Sequence, residues 1–204
     1  MSNDFIIGLD QIDILIYSVV IHEVSHGFMA RALGDTTAER LGRLTLNPLV
    51  HLDMVGSVIL PIITKLTTGF MFGYAKPVPY DPHQLNDRRW GPAKVAIAGP
   101  LANILLALVF AGVVRVAWAG GHELVAMLSY SVVWINVILA GFNLMPVPPL
   151  DGHWLLNAVM PASWRGVRAF MHQYQWILLV VVIFVVFPAV SPLLALVVDV
   201  LVGQ

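Results

Sequence analysis

The 204-residue chain is 58% hydrophobic and only 11% charged, against roughly 25% charged in typical soluble domains. So few charges could not coat a water-facing globule, which excludes a soluble domain, a disordered chain and a coiled coil and leaves a polytopic membrane protein. Eleven Lys and Arg against twelve Asp and Glu, net −1, leave no basic surface for nucleic acid, and the lack of cysteine restricts any metal to His and carboxylate ligands.

The apolar stretches fall into separable blocks. The first, Ile14 to Ala30, reaches spanning length if Phe5 to Asp13 adds a partial turn or two, and it is interrupted by His22, Glu23 and His26. After it, Gly42 to Pro48 alternates like a strand and ends in the turn signal Asn47-Pro48. A short hairpin is expected there, either an ordinary connection or an edge that an extended peptide can join. A second block, Val55 to Phe72, is broken by Pro61 and Lys65; the third, Val95 to Ala119, holds Asn103 and Arg115. The fourth, Leu124 to Leu144, runs into Pro146-Val147-Pro148-Pro149. The last, Trp176 to Val202, contains Pro188 and Pro192 and is a kinked span or two half-helices. The expected architecture is an all-α polytopic membrane protein with about four to six transmembrane helices, one domain over 1–204.

Basic residues orient the spans, because cytoplasmic loops collect them. Arg31, Arg40 and Arg43 follow block one; Lys76, Arg88, Arg89 and Lys94 precede or open block three; Arg165 and Arg168 follow block four. All three clusters share a face if the second block is re-entrant or interfacial, and that is the expectation. The N-terminus is then outside and the basic loops cytoplasmic. No basic residue precedes Arg31, which argues against a cleaved signal peptide.

His22-Glu23-Val24-Ser25-His26 is H-E-x-x-H within a helix-compatible run. Residues four apart lie about 40° apart around a helix and about 6 Å along it, so both imidazoles can reach one Zn²⁺ with Glu23 beside them. The bland alternative, two buried histidines bonded to neighbouring helices, leaves a carboxylate in the membrane with no task. A catalytic zinc takes three protein ligands. The extended zincin pattern fails at Met29 and Ala32, Glu39 sits in a charged loop, and Glu123 belongs to the far face. Asp151, presented by the proline-rich turn, falls at the depth of His26 and is the expected third ligand. His153 and the pair His51 and Asp53 read as interfacial or loop residues. His83, His122 and His172 read as solvated.

Together, His22 to His26, Gly99-Pro100-Leu101-Ala102-Asn103 and Asn143 to Gly152 resemble the site-2 proteases, in that family's order. The resemblance implies an intramembrane zinc metalloprotease that cuts transmembrane segments, with His22, His26 and Asp151 on zinc and Glu23 as catalytic base. It also implies a substrate path close to Leu44 to Pro48. The chain looks like a minimal catalytic core of that family. Asn143 and Asn103 are polar within apolar blocks and are candidates to donate to the oxyanion, with interhelical hydrogen bonds as the alternative role. The expected partners are a transmembrane-helix substrate and the bilayer, with no nucleic acid; oligomeric state leaves no mark on the sequence. A prokaryotic plasma membrane with the site towards the cytoplasm is the expected setting. A metal-ion transporter or channel is the rival function, since His and Asp in spans also mark ion pathways.

Overall fold

The computed structural model describes residues 3–59, 62, 63, 66 and 75–203. Among the described residues, four helices are long and apolar enough to cross a bilayer: Gln11–Ala32 within α1 (Asn3–Ala32), α3 (Gly91–Ala119), α4 (Glu123–Asn143) and α7 (Gln175–Val202). Shorter helices are α2 (Thr37–Arg40), α5 (Gly152–Val159) and α6 (Arg165–Gln173). A backbone in hydrocarbon must satisfy its own polar groups, and long uninterrupted helices do so.

The boundaries follow local chemistry. Asp87 accepts the N–H groups of Arg89 and Trp90 at 3.1 and 2.9 Å, just ahead of Gly91 and Pro92 at the start of α3. Gly120 and Gly121, the latter at φ 73°, turn the chain into α4. At the far end of α7, carbonyls with no helical partner meet Arg115 of α3, which donates to Val200 and Leu201 O, both at 2.8 Å.

Packing explains the order of the helices. Gly99, Asn103, Ala107 and Ala111 recur every four residues along α3 and are all buried. Small side chains in such a stripe let neighbouring helices come close. Ala107, Ala111 and Val114 pack with Val133 and Val137 of α4 and Val198 and Val202 of α7. On the opposite side of α3, Leu101, Leu105, Leu108 and Val116 are exposed, as a lipid-facing surface requires. A second cluster joins Val182 of α7 to Met145 and Leu150, so α7 also supports the turn that carries Asp151.

Asn86 N–H donates to Leu33 O at 2.8 Å, and Ala30 packs with Leu85 and Val95. The chain therefore leaves α1 and enters α3 at the same end of the bundle. The expectation of a re-entrant second block over 55–72 lies in large part outside the described residues; Met54–Ile59 form a π-helical turn.

Two readings of local structure need revision. No strand occurs among the described residues, and the Gly42 to Pro48 hairpin is not formed. The polar groups there satisfy one another locally: Asn47 N–H donates to Thr45 Oγ1 at 3.2 Å, and Asn47 Oδ1 accepts from Leu49 N–H at 3.1 Å, opening a 3-10 turn at Pro48–His51. Short polar side chains that bond nearby backbone compete with ladders in this way. The last block is one helix with a π-helical stretch at Val182–Val186, not two half-helices. Pro192 has no N–H for Pro188 O, and Ser191 Oγ donates to that carbonyl at 3.0 Å instead.

Candidate metal centre

α1 places His22 and His26 one turn apart, both buried, with ring centroids 4.6 Å apart and planes nearly perpendicular. Their Nδ1 atoms are each committed. His26 Nδ1 donates to Val95 O at 2.8 Å, and His22 Nδ1 donates to Asn103 Oδ1 at 2.5 Å. Both acceptors lie on α3, so α3 fixes the rotation of both rings. With Nδ1 carrying the hydrogen, each neutral ring presents a lone pair at Nε2.

Both lone pairs point at one carboxylate. Asp151 Oδ2 lies 3.1 Å from His22 Nε2 and 3.4 Å from His26 Nε2. Two imidazole nitrogens and a carboxylate oxygen this close together need positive charge between them, from a proton or a metal ion. Tetrahedral ligands at about 2.1 Å from zinc are about 3.4 Å from each other, so donor type and spacing both fit Zn²⁺. Among the described residues this is the group of His, Asp and Glu side chains close enough to hold a metal.

Gly99 completes the cradle. A Cβ at that position would stand 2.5 Å from His26 Nε2 and 2.6 Å from His22 Nε2. Only a residue without a side chain leaves that space for an ion. Asp151 reaches the site because the turn after α4 folds tightly: a Cβ on Gly152 would collide with the backbone of Leu144 and Met145.

Glu23 is half-buried beside His22, and one of its oxygens accepts the N–H of Val78 at 2.8 Å. Val78 belongs to an irregular segment, 75–80, in which Pro77 and Pro79 cannot donate. Arg43 holds that segment, donating to Lys76 O at 2.9 Å and Pro77 O at 3.3 Å, and Lys76 N–H donates to His51 O at 2.8 Å. Gly27 allows this packing, since a Cβ there would overlap Leu44 and Val78.

The asparagines take different places. Both amide hydrogens of Asn103 are donated, to Asn136 Oδ1 at 2.7 Å and Ser18 O at 3.3 Å, while its oxygen faces His22. No donor is left over for a substrate oxygen, which removes Asn103 from the oxyanion candidates. Asn143 donates to Leu139 O on its own helix at 3.0 Å, and its second amide hydrogen has no acceptor among the described residues.

Sequence reasoning missed the burial of several polar side chains. His51 is fully buried, not a loop residue, and donates from Nε2 to Thr45 O at 2.9 Å. His153 is buried too, donating from Nδ1 to Leu150 O at 2.7 Å. Tyr80 has a buried hydroxyl with no partner among the described residues. Burial and the nearby Asp151 charge push its phenol up to about 12, so it remains a donor at any working pH. The one available signal for Tyr80 was its place beside two prolines near a charged loop, which does not distinguish it from an ordinary aromatic.

The model of peptidase family M50 matches residues 11–188. The chain belongs to that family. It is 38% identical to YwhC of Bacillus subtilis over 168 residues, covering 79% of this chain and 72% of YwhC. It is 31% identical to Rip2 of Mycolicibacterium smegmatis over 182 residues, 85% of this chain and 65% of Rip2. It is also 31% identical to MJ0611 of Methanocaldococcus jannaschii over 154 residues, 75% of this chain and 76% of that protein. All three carry names of zinc metalloproteases. No solved structure matches. The M50 chain is thus a zinc metalloprotease with membrane-spanning helices, and its matched region includes every residue discussed for the metal centre.

Proposed function

We propose that this M50 protease hydrolyses peptide bonds in or beside transmembrane segments of membrane-protein substrates, with His22, His26 and Asp151 as zinc ligands and Glu23 as general base. The observation that carries the reading is the convergence of two imidazole Nε2 atoms and a carboxylate oxygen from positions 129 residues apart. An ion held there supplies Lewis acidity towards water and the scissile carbonyl.

The chain's own residues divide the remaining work. Glu23 takes a proton from the attacking water at one carboxylate oxygen and returns it to the leaving amine nitrogen. Val78 N–H holds the other oxygen of Glu23, which limits its rotation. Tyr80 and Asn143 are the candidate donors to the developing oxyanion. A helical substrate must unwind to expose its carbonyl, and the exposed apolar side chains of Leu46, Leu49, Leu52 and Met54 give an unwound apolar segment a compatible surface.

Purified protein in liposomes with a single-span substrate tests this. Glu23→Gln should abolish cleavage while retaining zinc, and His22→Ala and Asp151→Ala should each lose stoichiometric zinc. Mass spectrometry should map the cut within or at the edge of the hydrophobic stretch. Cleavage confined to a distant soluble region, or full activity in Glu23→Gln, overturns the reading. Metal uptake surviving Glu23→Gln is the outcome the transporter alternative requires.

We also place the site towards the cytoplasmic face of a prokaryotic plasma membrane, because the basic clusters gather at the end where α1 meets α3. The chain has no cysteine, so Arg88→Cys and Gly121→Cys can be probed singly with an impermeant thiol reagent. Labelling of Gly121→Cys, but not Arg88→Cys, from outside is expected; the reverse pattern overturns the orientation.

A further inference from the structure

The hydrogen bond from His22 to Asn103 does not end at Asn103. Asn136 of α4 accepts from Asn103, and its own amide donates to Ser18 Oγ and to Val132 O, both at 2.9 Å. Ser18, Asn103 and Asn136 are all buried, at 3%, 0% and 0% exposure, between three spanning helices. Burying three polar side chains at this depth is costly unless each is satisfied.

The direction of the chain is set by groups that cannot reverse. Val132 O and Ser18 O are backbone carbonyls and only accept. Val132 O therefore requires the amide nitrogen of Asn136 on its side, which turns Asn136 Oδ1 towards Asn103. Ser18 O likewise requires the nitrogen of Asn103, and Asn136 Oδ1 requires it again. Asn103 Oδ1 is left facing His22, so His22 must carry its hydrogen on Nδ1. Reversing either amide would set oxygen against oxygen or N–H against N–H.

We infer that Asn136, through Asn103, is a positioning residue for the metal centre: the Ser18–Asn136–Asn103 chain fixes the tautomer and ring orientation of His22 so that Nε2 is the ligating atom. The inference rests on His22 being a zinc ligand. Residues behind a ligating histidine that fix its tautomer typically change metal affinity by about 10–100-fold. Here the polarity is imposed from a helix that contributes no His, Asp or Glu to the site.

The test measures zinc affinity of purified protein by competition with a chelator, for Asn103→Ala, Asn136→Leu and the double variant, beside His22→Ala. Asn136→Leu keeps size and removes the polar groups. Expected are about tenfold weaker zinc binding for Asn136→Leu, a larger loss for Asn103→Ala, and no further loss in the double variant, because Asn136 acts only through Asn103. The ligand-field spectrum of the Co²⁺ form should shift in Asn136→Leu, and Asn136→Gln should not restore it, its longer amide being out of register. Asn136→Leu with lowered thermal stability but native zinc affinity and native Co²⁺ spectrum overturns the inference, as do additive losses in the double variant. Native zinc affinity in His22→Ala would instead sink the ligand set itself.

Discussion

α1, α3 and α4 on one side and α7 on the other are all long enough to span, yet they are built on different terms. In the windows of the first three, 33%, 39% and 33% of residues are buried within the protein, against 6% for α7. The three well-buried helices carry His22, His26, Ser18, Asn103 and Asn136 in their shared interior. Among the described residues, α7 contributes only apolar side chains to its buried positions, Val182, Val198 and Val202. Polar groups in a bilayer are tolerated where protein surrounds them, so the helices with the most protein around them are those that can hold chemistry. α7 reaches the site indirectly, by packing against Met145 and Leu150 of the turn that bears Asp151.

Substitutions sharpen this contrast. The largest effect is expected at Gly99: Gly99→Ala puts a methyl against both Nε2 atoms, so zinc affinity should fall by about 100-fold, with activity following, while the helix content stays unchanged by circular dichroism. Tyr80→Phe removes only a hydroxyl; kcat should drop by about 10²-fold with KM and zinc content little altered. An equal loss in KM alone would assign Tyr80 to substrate packing. Arg43→Gln should release segment 75–80 and with it the clamp on Glu23, lowering kcat by roughly tenfold at unchanged zinc content, since it breaks two charge-assisted bonds to carbonyls. On the α7 side the effects should be small. Arg115→Gln should lower the thermal midpoint by roughly 2–4 °C through the lost contacts to Val200 and Leu201 O, with normal proteolysis. Phe184→Leu, on a 67% exposed position, should change neither, and a clear loss of activity there would break the division between the two regions.

The same division governs what the sequence revealed. The spans were readable to within a few residues, because length and hydropathy alone specify them: Val95 to Ala119 became Gly91–Ala119, and Leu124 to Leu144 became Glu123–Asn143. The approach of Asp151 to His22 and His26 was readable from matching depth at one face. Asn136 was not. An Asn in an apolar run looks the same whether it bonds its own helix, as Asn143 does, or carries polarity across two neighbours. His51 and Arg43 were hidden for the opposite reason: they lie in the connection after α1, where a polar residue passes without remark, yet both are buried and both bond to segment 75–80. The strand-like alternation of Gly42 to Pro48 misled because period alone ignores the side chains of Thr45 and Asn47, which take up the backbone groups a ladder would need.

The position of Asp151 has a consequence for biogenesis. On the ligand set proposed here, the site draws on residue 22 and residue 151, and the turn bearing the latter is held in place by a helix that ends at residue 202. During synthesis, α1 enters the bilayer long before either of the others exists. On that ligand set, a chain with only α1 inserted holds two of the three ligands, and the set closes only once residue 151 and the helix packed behind its turn have followed.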